Sequence, residues 1–272
     1  MAYETVKVDR DGHIATITLN RPEMLNALNT QITLDFHAAL DEIAADEDIR
    51  VVILTGEGRG FCSGADLSGR GSPPAAGDES ARTAQRERVR QNIQGHGITD
   101  LAVKMRDIPQ PIVGAINGVA VGAGLAVALS CDIRVASDLA RFASIFIKRS
   151  IMPDTGTSSL LPQLVGPGIA SEMTLTGTIY DAQWALDKGL VNKVVPHDQL
   201  MEEARAYADL IAGNPPIAVR LTKRLVRRGM NAGLEQAVNN ESVYNNVAGQ
   251  TEDSREAVRA FLEKRQPTFQ GR

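Results

Sequence analysis

The stretch that most constrains the fold of this chain runs from Pro111 to Asp132 and reads PIVGAINGVAVGAGLAVALSCD. It opens with an apolar run, 112–116, of the length of a buried strand. A turn signal, Asn117-Gly118, follows. Gly122-Ala123-Gly124 then precedes an alanine-rich apolar run that suits a buried helix. The pattern predicts a strand, a tight glycine-rich turn and the start of a helix.

The predicted turn offers backbone donors to a ligand. The first N–H groups of a helix have no intrahelical partner, and the helix dipole favours negative charge at that end. Glycine on either side lets a ligand approach the backbone closely, so an N–H near Ala123 is suited to hold an oxyanion. The same glycines also fit a turn that serves packing alone, and this stretch by itself leaves both interpretations open.

Two nucleotide-binding motifs do not match this stretch. The dinucleotide motif G-x-G-x-x-G needs a glycine where the chain has Val127. The acidic residue expected about 20 positions later is missing, since that distance falls near Arg141 and Phe142. A phosphate-binding P-loop would end in Gly-Lys-Ser or Gly-Lys-Thr, which is absent here.

Composition narrows the class of protein. The chain has 272 residues, 43% of them hydrophobic, which is enough for a sizeable core. Its net charge of −4 shows no basic surplus of the kind typical of nucleic-acid-binding proteins. Cys62 and Cys131 have no metal-like spacing and are expected to be buried thiols in a reducing compartment. The N-terminus lacks a signal pattern, and no apolar run reaches about 18 residues. We expect a cytoplasmic protein with no membrane partner.

A second strand also ends in a glycine-rich bend. The buried run 51–55 leads into GEGRG and then into Phe61-Cys62-Ser63-Gly64-Ala65-Asp66-Leu67. Two such bends can present two backbone N–H groups to one oxygen. Upstream, the pattern predicts a hairpin of strands 5–8 and 14–19 and a helix over 25–45. Downstream of the bend, GRGSPPAAG (69–77) is predicted to be a mobile loop.

The character of the chain changes near residue 198. Strand and turn patterns dominate before it, whereas helical patterns cover 200–211, 216–228, 234–247 and 255–264. The sequence therefore predicts an α/β fold with a core domain, 1–197, and a helical C-terminal region, 198–272.

These motifs, in this order, resemble the crotonase superfamily, the enoyl-CoA hydratase/isomerase fold. Phe61 to Leu67 looks like the motif F-x-x-G-A-D-[IL], and Asn117 to Gly124 resembles N-G-x-A-x-G-G-G. Further segments that match are Cys131-Asp132-Ile133, Arg141-Phe142, Met152-Pro153-Asp154-Thr155-Gly156, Leu175-Thr176-Gly177, Ala182, Gly189-Leu190-Val191 and Phe261-Leu262-Glu263-Lys264-Arg265. The resemblance covers nearly the whole chain. Within the superfamily the chain looks most like the ring-epoxide isomerases of phenylacetyl-CoA breakdown.

The resemblance implies a spiral of ββα units with a helical C-terminal trimerisation region, assembled as a homotrimer or a dimer of trimers. It implies an acyl-CoA thioester substrate, as in fatty acid metabolism, and no cofactor beyond the coenzyme A that the substrate carries. The thioester carbonyl would lie between the backbone N–H groups of Ala65 and Ala123. The central glycine of the family's Gly triplet is Ala123 here, which is tolerable because the donor is backbone.

The chain departs from the hydratase pattern at two positions. The two glutamates that hydratases use are replaced by Ala126 and Phe146. Adding water to a double bond needs one group to activate water and another to protonate carbon, so hydratase activity is not favoured. Asp154 lies where isomerase branches carry a single proton-shuttling acid. Ala126 and Phe146 would raise its pKa if they line the pocket, while Pro-Asp-Thr-Gly is also a good β-turn.

The resemblance also implies contacts with the coenzyme A moiety. It points to backbone near Met24, Asn26 and Ala27 and to the second bend at Ser63, Asp66, Leu67 and Ser68. It also points to the C-terminal positions Phe261 and Lys264, often from a neighbouring subunit. Asp66 is interpreted as bracing its own loop, and His96 as a surface histidine. The four histidines form no H-E-x-x-H, so no metal is predicted.

Three functions remain open from the sequence. An acyl-CoA isomerase with Asp154 as the single acid/base is favoured. An enoyl-CoA hydratase or acyl-CoA hydrolase is the second, with water held by Asp154 and a group from 69–100. A non-catalytic acyl-CoA-binding protein is the third, because both family glutamates are missing.

Overall fold

A computed structural model of the chain describes residues 3–68 and 79–272; the loop predicted at 69–77 lies outside them. The strands are β1 Val6–Asp11, β2 Ile14–Leu19, β3 Val51–Gly56, β4 Gly60–Cys62, β5 Ile112–Ile116, β6 Val119–Val121, β7 Ile133–Ser137, β8 Arg141–Ala143, β9 Tyr180–Asp181 and β10 Lys193–Val195. The α-helices are α1 Thr30–Ala45, α2 Glu79–Ile93, α3 Leu101–Asp107, α4 Ala123–Ser130, α5 Thr157–Thr176 with a kink at Gly166, α6 Ala182–Asp187, α7 Leu200–Ala212, α8 Pro216–Gly229, α9 Leu234–Gly249 and α10 Glu252–Glu263.

The strands form two sheets that alternate along the chain. One has the order β1-β2-β3-β5-β7-β10 and is parallel except for the hairpin β1–β2, and the other has the order β4-β6-β8-β9. In the pairs β3/β4, β5/β6 and β7/β8 the first strand joins the larger sheet and the second joins the smaller one, and helices follow each pair. This repeat is the predicted spiral of ββα units, and the α/β fold class is confirmed.

Helix α1 closes one side of the core and begins later than predicted. Ile32, Phe36 and Leu40 are fully buried on one face, as the helical spacing indicates. The helix begins at Thr30 instead of residue 25, because Leu25 and Asn26 have left-handed backbone with φ of 50° and 57°. Asn29 then caps the helix by accepting a hydrogen bond from the Ile32 N–H at 3.0 Å.

The central stretch holds one element more than the sequence predicts. Strand β5, the glycine-rich turn and helix α4 are present, but a short strand, β6, lies between Asn117-Gly118 and the turn. It pairs in parallel with β4 and β8. A strand of three residues is too short to be detected by its hydrophobic periodicity. This strand brings the two glycine-rich bends together.

The C-terminal helices divide by their packing. Helix α7 lies on the larger sheet, where Leu200, Ala204 and Ala208 join Ile53 and Val113 in one buried cluster. Helix α9, by contrast, buries none of its residues. The division at residue 198 stays a prediction. Across 3–68 and 79–272, none of the helices has the length and apolar character that a membrane crossing requires.

Candidate active site

The two glycine-rich bends are in backbone contact at one edge of the smaller sheet. Strands β4 and β6 are parallel neighbours, so both chains leave the sheet at the same edge. A Cβ built on Gly64 would lie 2.8 Å from the Val121 carbonyl oxygen and 3.4 Å from the Ala123 nitrogen. A Cβ on Gly124 would overlap the Cys62 carbonyl. Only glycine permits this approach at either position.

Ala65 and Ala123 bring backbone N–H groups to these bends. The Leu28 N–H donates to the Gly64 carbonyl at 2.7 Å, and the Asp66 N–H donates to the Leu28 carbonyl at 2.9 Å. The Ala65 N–H, which lies between these two bonds, takes no part in the pairing. Ala123 is the first residue of α4, so its N–H has no intrahelical acceptor. Within the described part of the chain neither N–H has an acceptor. Two free donors on adjacent bends suit the stabilisation of an oxyanion.

The two segments predicted to contact coenzyme A pair with each other. Besides the Leu28–Ala65 bridge, the Ser63 N–H donates to the Leu25 carbonyl at 2.9 Å and the Ser63 hydroxyl donates to the Met24 carbonyl at 3.0 Å. Segments 24–28 and 63–66 therefore form one backbone platform beside the bends. The sequence placed both segments at the site without showing that they bond to each other.

A cavity of about 540 Å³ lies beside this platform. Its described lining comes from the two loops, from the first turn of α1, from the residues before α3 and from the turn before α5. The lining residues are Arg21, Leu28, Asn29, Thr30, Gln31, Thr33, Ala65, Asp66, Ser68, Gly97, Ile98, Thr99 and Asp154. Of the predicted site residues, the cavity thus brings together Ala65, Asp66, Ser68 and Asp154.

Asp66 forms a largely buried ion pair with Arg21. Both guanidinium Nη atoms of Arg21 donate to Asp66 Oδ2 at 3.2 Å, and the Ser68 N–H and hydroxyl donate to Oδ1 at 2.9 and 2.6 Å. Burial raises the pKa of the Asp66 carboxyl, but the hydrogen bonds from Ser68 and Arg21 outweigh burial and hold that pKa below its ordinary value. Asp66 is therefore ionised and fully engaged in bracing its loop, and it is a poor proton carrier.

The Asp66→Asn variant is expected to be less stable than the wild type, by about 1–3 kcal/mol at pH 7, because the largely buried Arg21 guanidinium loses the carboxylate 3.2 Å away and keeps only the exposed Glu23 carboxylate at 3.9 Å. Since the folded-state pKa of Asp66 is lowered, its contribution is present above the unfolded pKa of about 3.9 and is lost as pH falls through the folded value. Urea unfolding at pH 7, 5, 4 and 3 should show the gap between wild type and variant narrowing below about pH 4. A gap that stays constant to pH 3 would contradict the assignment.

Asp154 is the other carboxylate of the cavity. It is exposed, and its Oδ1 accepts a hydrogen bond from the Thr155 hydroxyl at 3.0 Å. Among the described lining residues it is the only carboxylate without a cationic partner. The apolar surroundings expected for Asp154 depended on Ala126 and Phe146 lining the pocket. Both are buried, and neither is among the described residues that line this cavity.

Other predicted contact residues lie at varied depths. Asn26 is fully buried, and its amide donates to the carbonyls of Glu57 and Gly60 at 3.0 and 2.7 Å, so its side chain fixes the loop and does not reach a ligand. Ala27 is also buried. The remaining predicted residues, Met24, Leu67 and Phe261, are exposed, and Lys264 ends α10. Their contacts with coenzyme A stay predictions.

Part of the cavity lining is not predicted by the sequence. Arg21 pairs with a residue 45 positions away, a tertiary contact that no local pattern reveals. The first turn of α1 was detectable, because Asn29 immediately before an apolar helical period is a start signal. His96 is exposed, as expected, and contacts His37 edge to face. His37 is buried, which lowers its pKa, and its Nε2 lies 3.1 Å from the carbonyl oxygen of Gly97 in the cavity wall.

Comparisons with known proteins cover nearly the whole chain. The profile of the enoyl-CoA hydratase/isomerase family matches residues 9–272. The short-chain-enoyl-CoA hydratase of Clostridium acetobutylicum is 36% identical over 97% of both chains, and the 1,2-epoxyphenylacetyl-CoA isomerase of Escherichia coli is 34% identical over 95% of both. The crystal structure of an enoyl-CoA hydratase from Bacillus anthracis superposes with a TM-score of 0.87 at 34% identity, covering 99% of this chain and 100% of that one. This chain therefore belongs to the enoyl-CoA hydratase/isomerase family, the crotonase superfamily.

Proposed function

We propose that this chain is an acyl-CoA isomerase that moves a double bond, or rearranges a ring, on a coenzyme A thioester. One observation carries the proposal. Of the two carboxylates in the described cavity lining, Asp66 is neutralised by Arg21, whereas Asp154 has no cationic partner. A single available acid suits a reaction that takes a proton from one carbon and returns it to another, without adding water.

The proposed reaction uses the backbone and Asp154 in turn. The thioester oxygen accepts hydrogen bonds from the N–H groups of Ala65 and Ala123, which stabilise the negative charge of an enolate. The Asp154 carboxylate removes a proton from the acyl chain, and the electron pair of that C–H bond shifts toward the thioester. The carboxylic acid then returns the same proton to a different carbon. Substrate and product have the same mass, and the enzyme is regenerated.

A hydratase is the second candidate, and the comparisons favour it in one respect. Hydratase names are numerous among the relatives, such as the (E)-benzylidenesuccinyl-CoA hydratase of Thauera aromatica at 37% identity. Such a reaction would need a second group to manage water. Ala126 and Phe146 occupy the two family glutamate positions, so that group would have to come from elsewhere in the chain.

The test is a product analysis of the wild-type protein with 3-enoyl-CoA and, separately, 2-enoyl-CoA. We expect 3-enoyl-CoA to yield a product of unchanged mass. The gain of one water from 2-enoyl-CoA as the main reaction would overturn the isomerase proposal in favour of the hydratase. If both substrates bind without turnover, the assay is repeated with a ring 1,2-epoxide of an aryl-acetyl-CoA. Binding of that compound without turnover would favour the non-catalytic acyl-CoA-binding protein.

We further propose that the chain assembles as a homotrimer or a dimer of trimers through its C-terminal helices. Helix α9 has no buried residue and exposes Leu234, Val238, Val243 and Val247 to between 48 and 82%. Phe261 and Leu262 on α10 are also largely exposed. Leu234 and Val238 lie on the opposite side of α9 from Val243 and Val247, so the helix exposes apolar side chains on two sides, which supports burial against another subunit.

A further inference from the structure

A second cavity, of about 860 Å³, lies where the carboxyl end of α3 meets α8. Its lining is strongly cationic. Four arginines follow one another along α8 at intervals of four, three and one residues: Arg220, Arg224, Arg227 and Arg228. Together with Arg106 and Lys223 they surround the cavity. Asp107 is the only carboxylate among the described lining residues.

Within 3–68 and 79–272, carboxylates balance only two of these six cations. Lys223 Nζ lies 3.0 Å from Asp132 Oδ2, and Arg227 Nη2 lies 3.5 Å from Asp107 Oδ1. Arg224 is exposed and has no ion-pair partner in the part of the chain that the structure describes.

The other three arginines contact neutral groups. Arg228 donates to the Tyr244 hydroxyl at 2.9 Å, Arg220 donates to the Glu47 carbonyl at 3.1 Å, and Arg106 lies 3.8 Å from the Met230 sulfur. These contacts orient the guanidinium groups without cancelling their charge. The cavity therefore holds about four positive charges with no carboxylate counterpart.

The electrostatic potential in this cavity is therefore positive. Burial, followed by the positive charge of Arg106, lowers the pKa of the Arg227 guanidinium to about 10. The Nε of Arg220 is buried with no hydrogen-bond partner among the described residues. A buried donor left without an acceptor is costly, and the unbalanced positive charge around it favours acceptor oxygens.

We propose that this cavity binds a di- or triphosphate group. Guanidinium groups match phosphate oxygens with paired hydrogen bonds, and several of them around one space favour an anion with several charges. The volume lies within the range of ligand cavities, roughly 300–1,000 Å³. The phosphate can come from free pyrophosphate or from the diphosphate of coenzyme A.

This site is separate from the candidate active site and does not depend on the proposed function. Thr99, just before α3, lines the active-site cavity, whereas Arg106, near the end of α3, lines the cationic one. Thr99 and Arg106 are seven residues apart, which corresponds to about 10 Å along a helix axis. One short helix thus connects the two cavities.

Isothermal titration of the full-length protein with sodium pyrophosphate tests the proposal. The double variant Arg224→Gln/Arg228→Gln removes two charges from partly exposed positions, and Lys188→Gln removes one charge from an exposed position at the end of α6. We expect binding to the wild type that weakens with added salt, falls at least about 10-fold in the double variant, and is unchanged in Lys188→Gln. Competition of coenzyme A with pyrophosphate would identify the coenzyme as the source, and its absence would identify free pyrophosphate.

Either of two results would overturn the proposal. One is pyrophosphate binding that is absent in the wild type or equal in the double variant and the wild type. The other is a change of oligomeric state in the double variant, seen by sedimentation velocity, with no effect on pyrophosphate binding. In that case the arginines would form an interface between chains.

Discussion

The Asp154→Asn variant is expected to lose isomerisation of 3-enoyl-CoA by a factor on the order of 10²–10⁴, the usual contribution of a general acid/base. Asparagine has nearly the shape of aspartate but cannot accept and return a proton. The loss should appear in kcat with KM nearly unchanged, because the backbone donors of Ala65 and Ala123 are untouched. Steady-state rates with products resolved by mass measure the effect.

The fold should tolerate this change. The Asp154 side chain is exposed and accepts a hydrogen bond from the Thr155 hydroxyl, while the bond from the Thr157 N–H goes to the Asp154 backbone carbonyl. Asp9→Asn, at an exposed position on β1, is a matched control that should keep full activity. If Asp154→Asn retained more than about a tenth of the wild-type rate, Asp154 would not be the acid/base.

Sequence patterns of a few neighbouring residues predicted the parts of the site that depend on the conformation of a single short segment. The two glycine-rich bends at 64 and 122–124 follow buried strands and carry the glycines that close backbone approach requires. Their meeting in space, however, depends on the pairing of β4 with β6. Strands of three residues carry too little periodicity to be detected, so the contact between the bends was inferred and the strand that creates it was missed.

Long-range polar contacts were beyond sequence reasoning. Asp66 was correctly expected to brace its loop, but its partner Arg21 could not be identified from residues 45 positions apart. Asn26 illustrates a different limit. Its position in a matching motif predicts a backbone contact with coenzyme A, which stays a prediction, but the motif does not reveal that its side-chain amide donates to the carbonyls of Glu57 and Gly60. A motif fixes which residue occupies a position, and packing decides what its side chain can reach.

Gly64→Ala is expected to impair the candidate oxyanion hole directly. The backbone at Gly64 has a φ of 94°, and an added Cβ would lie 2.8 Å from the Val121 carbonyl oxygen and 3.4 Å from the Ala123 nitrogen. The bends must then separate, which displaces the Ala123 N–H from the Ala65 N–H. The loss of one oxyanion donor lowers kcat by a factor on the order of 10²–10³, so we expect a decrease of that size for any thioester substrate that the enzyme turns over.

Gly12→Ala separates this effect from simple backbone strain. Gly12 also has a positive φ, 58°, but no atom lies within 4 Å of its Cβ position. Both variants should lose about 1–2 kcal/mol of stability from the left-handed backbone, and Gly64→Ala should lose more because its Cβ also meets the Val121 carbonyl. Urea unfolding measures both losses. Only Gly64→Ala should also lose activity at temperatures where both variants are folded. Equal activity in the two variants would mean that the spacing of the bends does not control the reaction, and the oxyanion donors would have to be sought elsewhere than at Ala65 and Ala123.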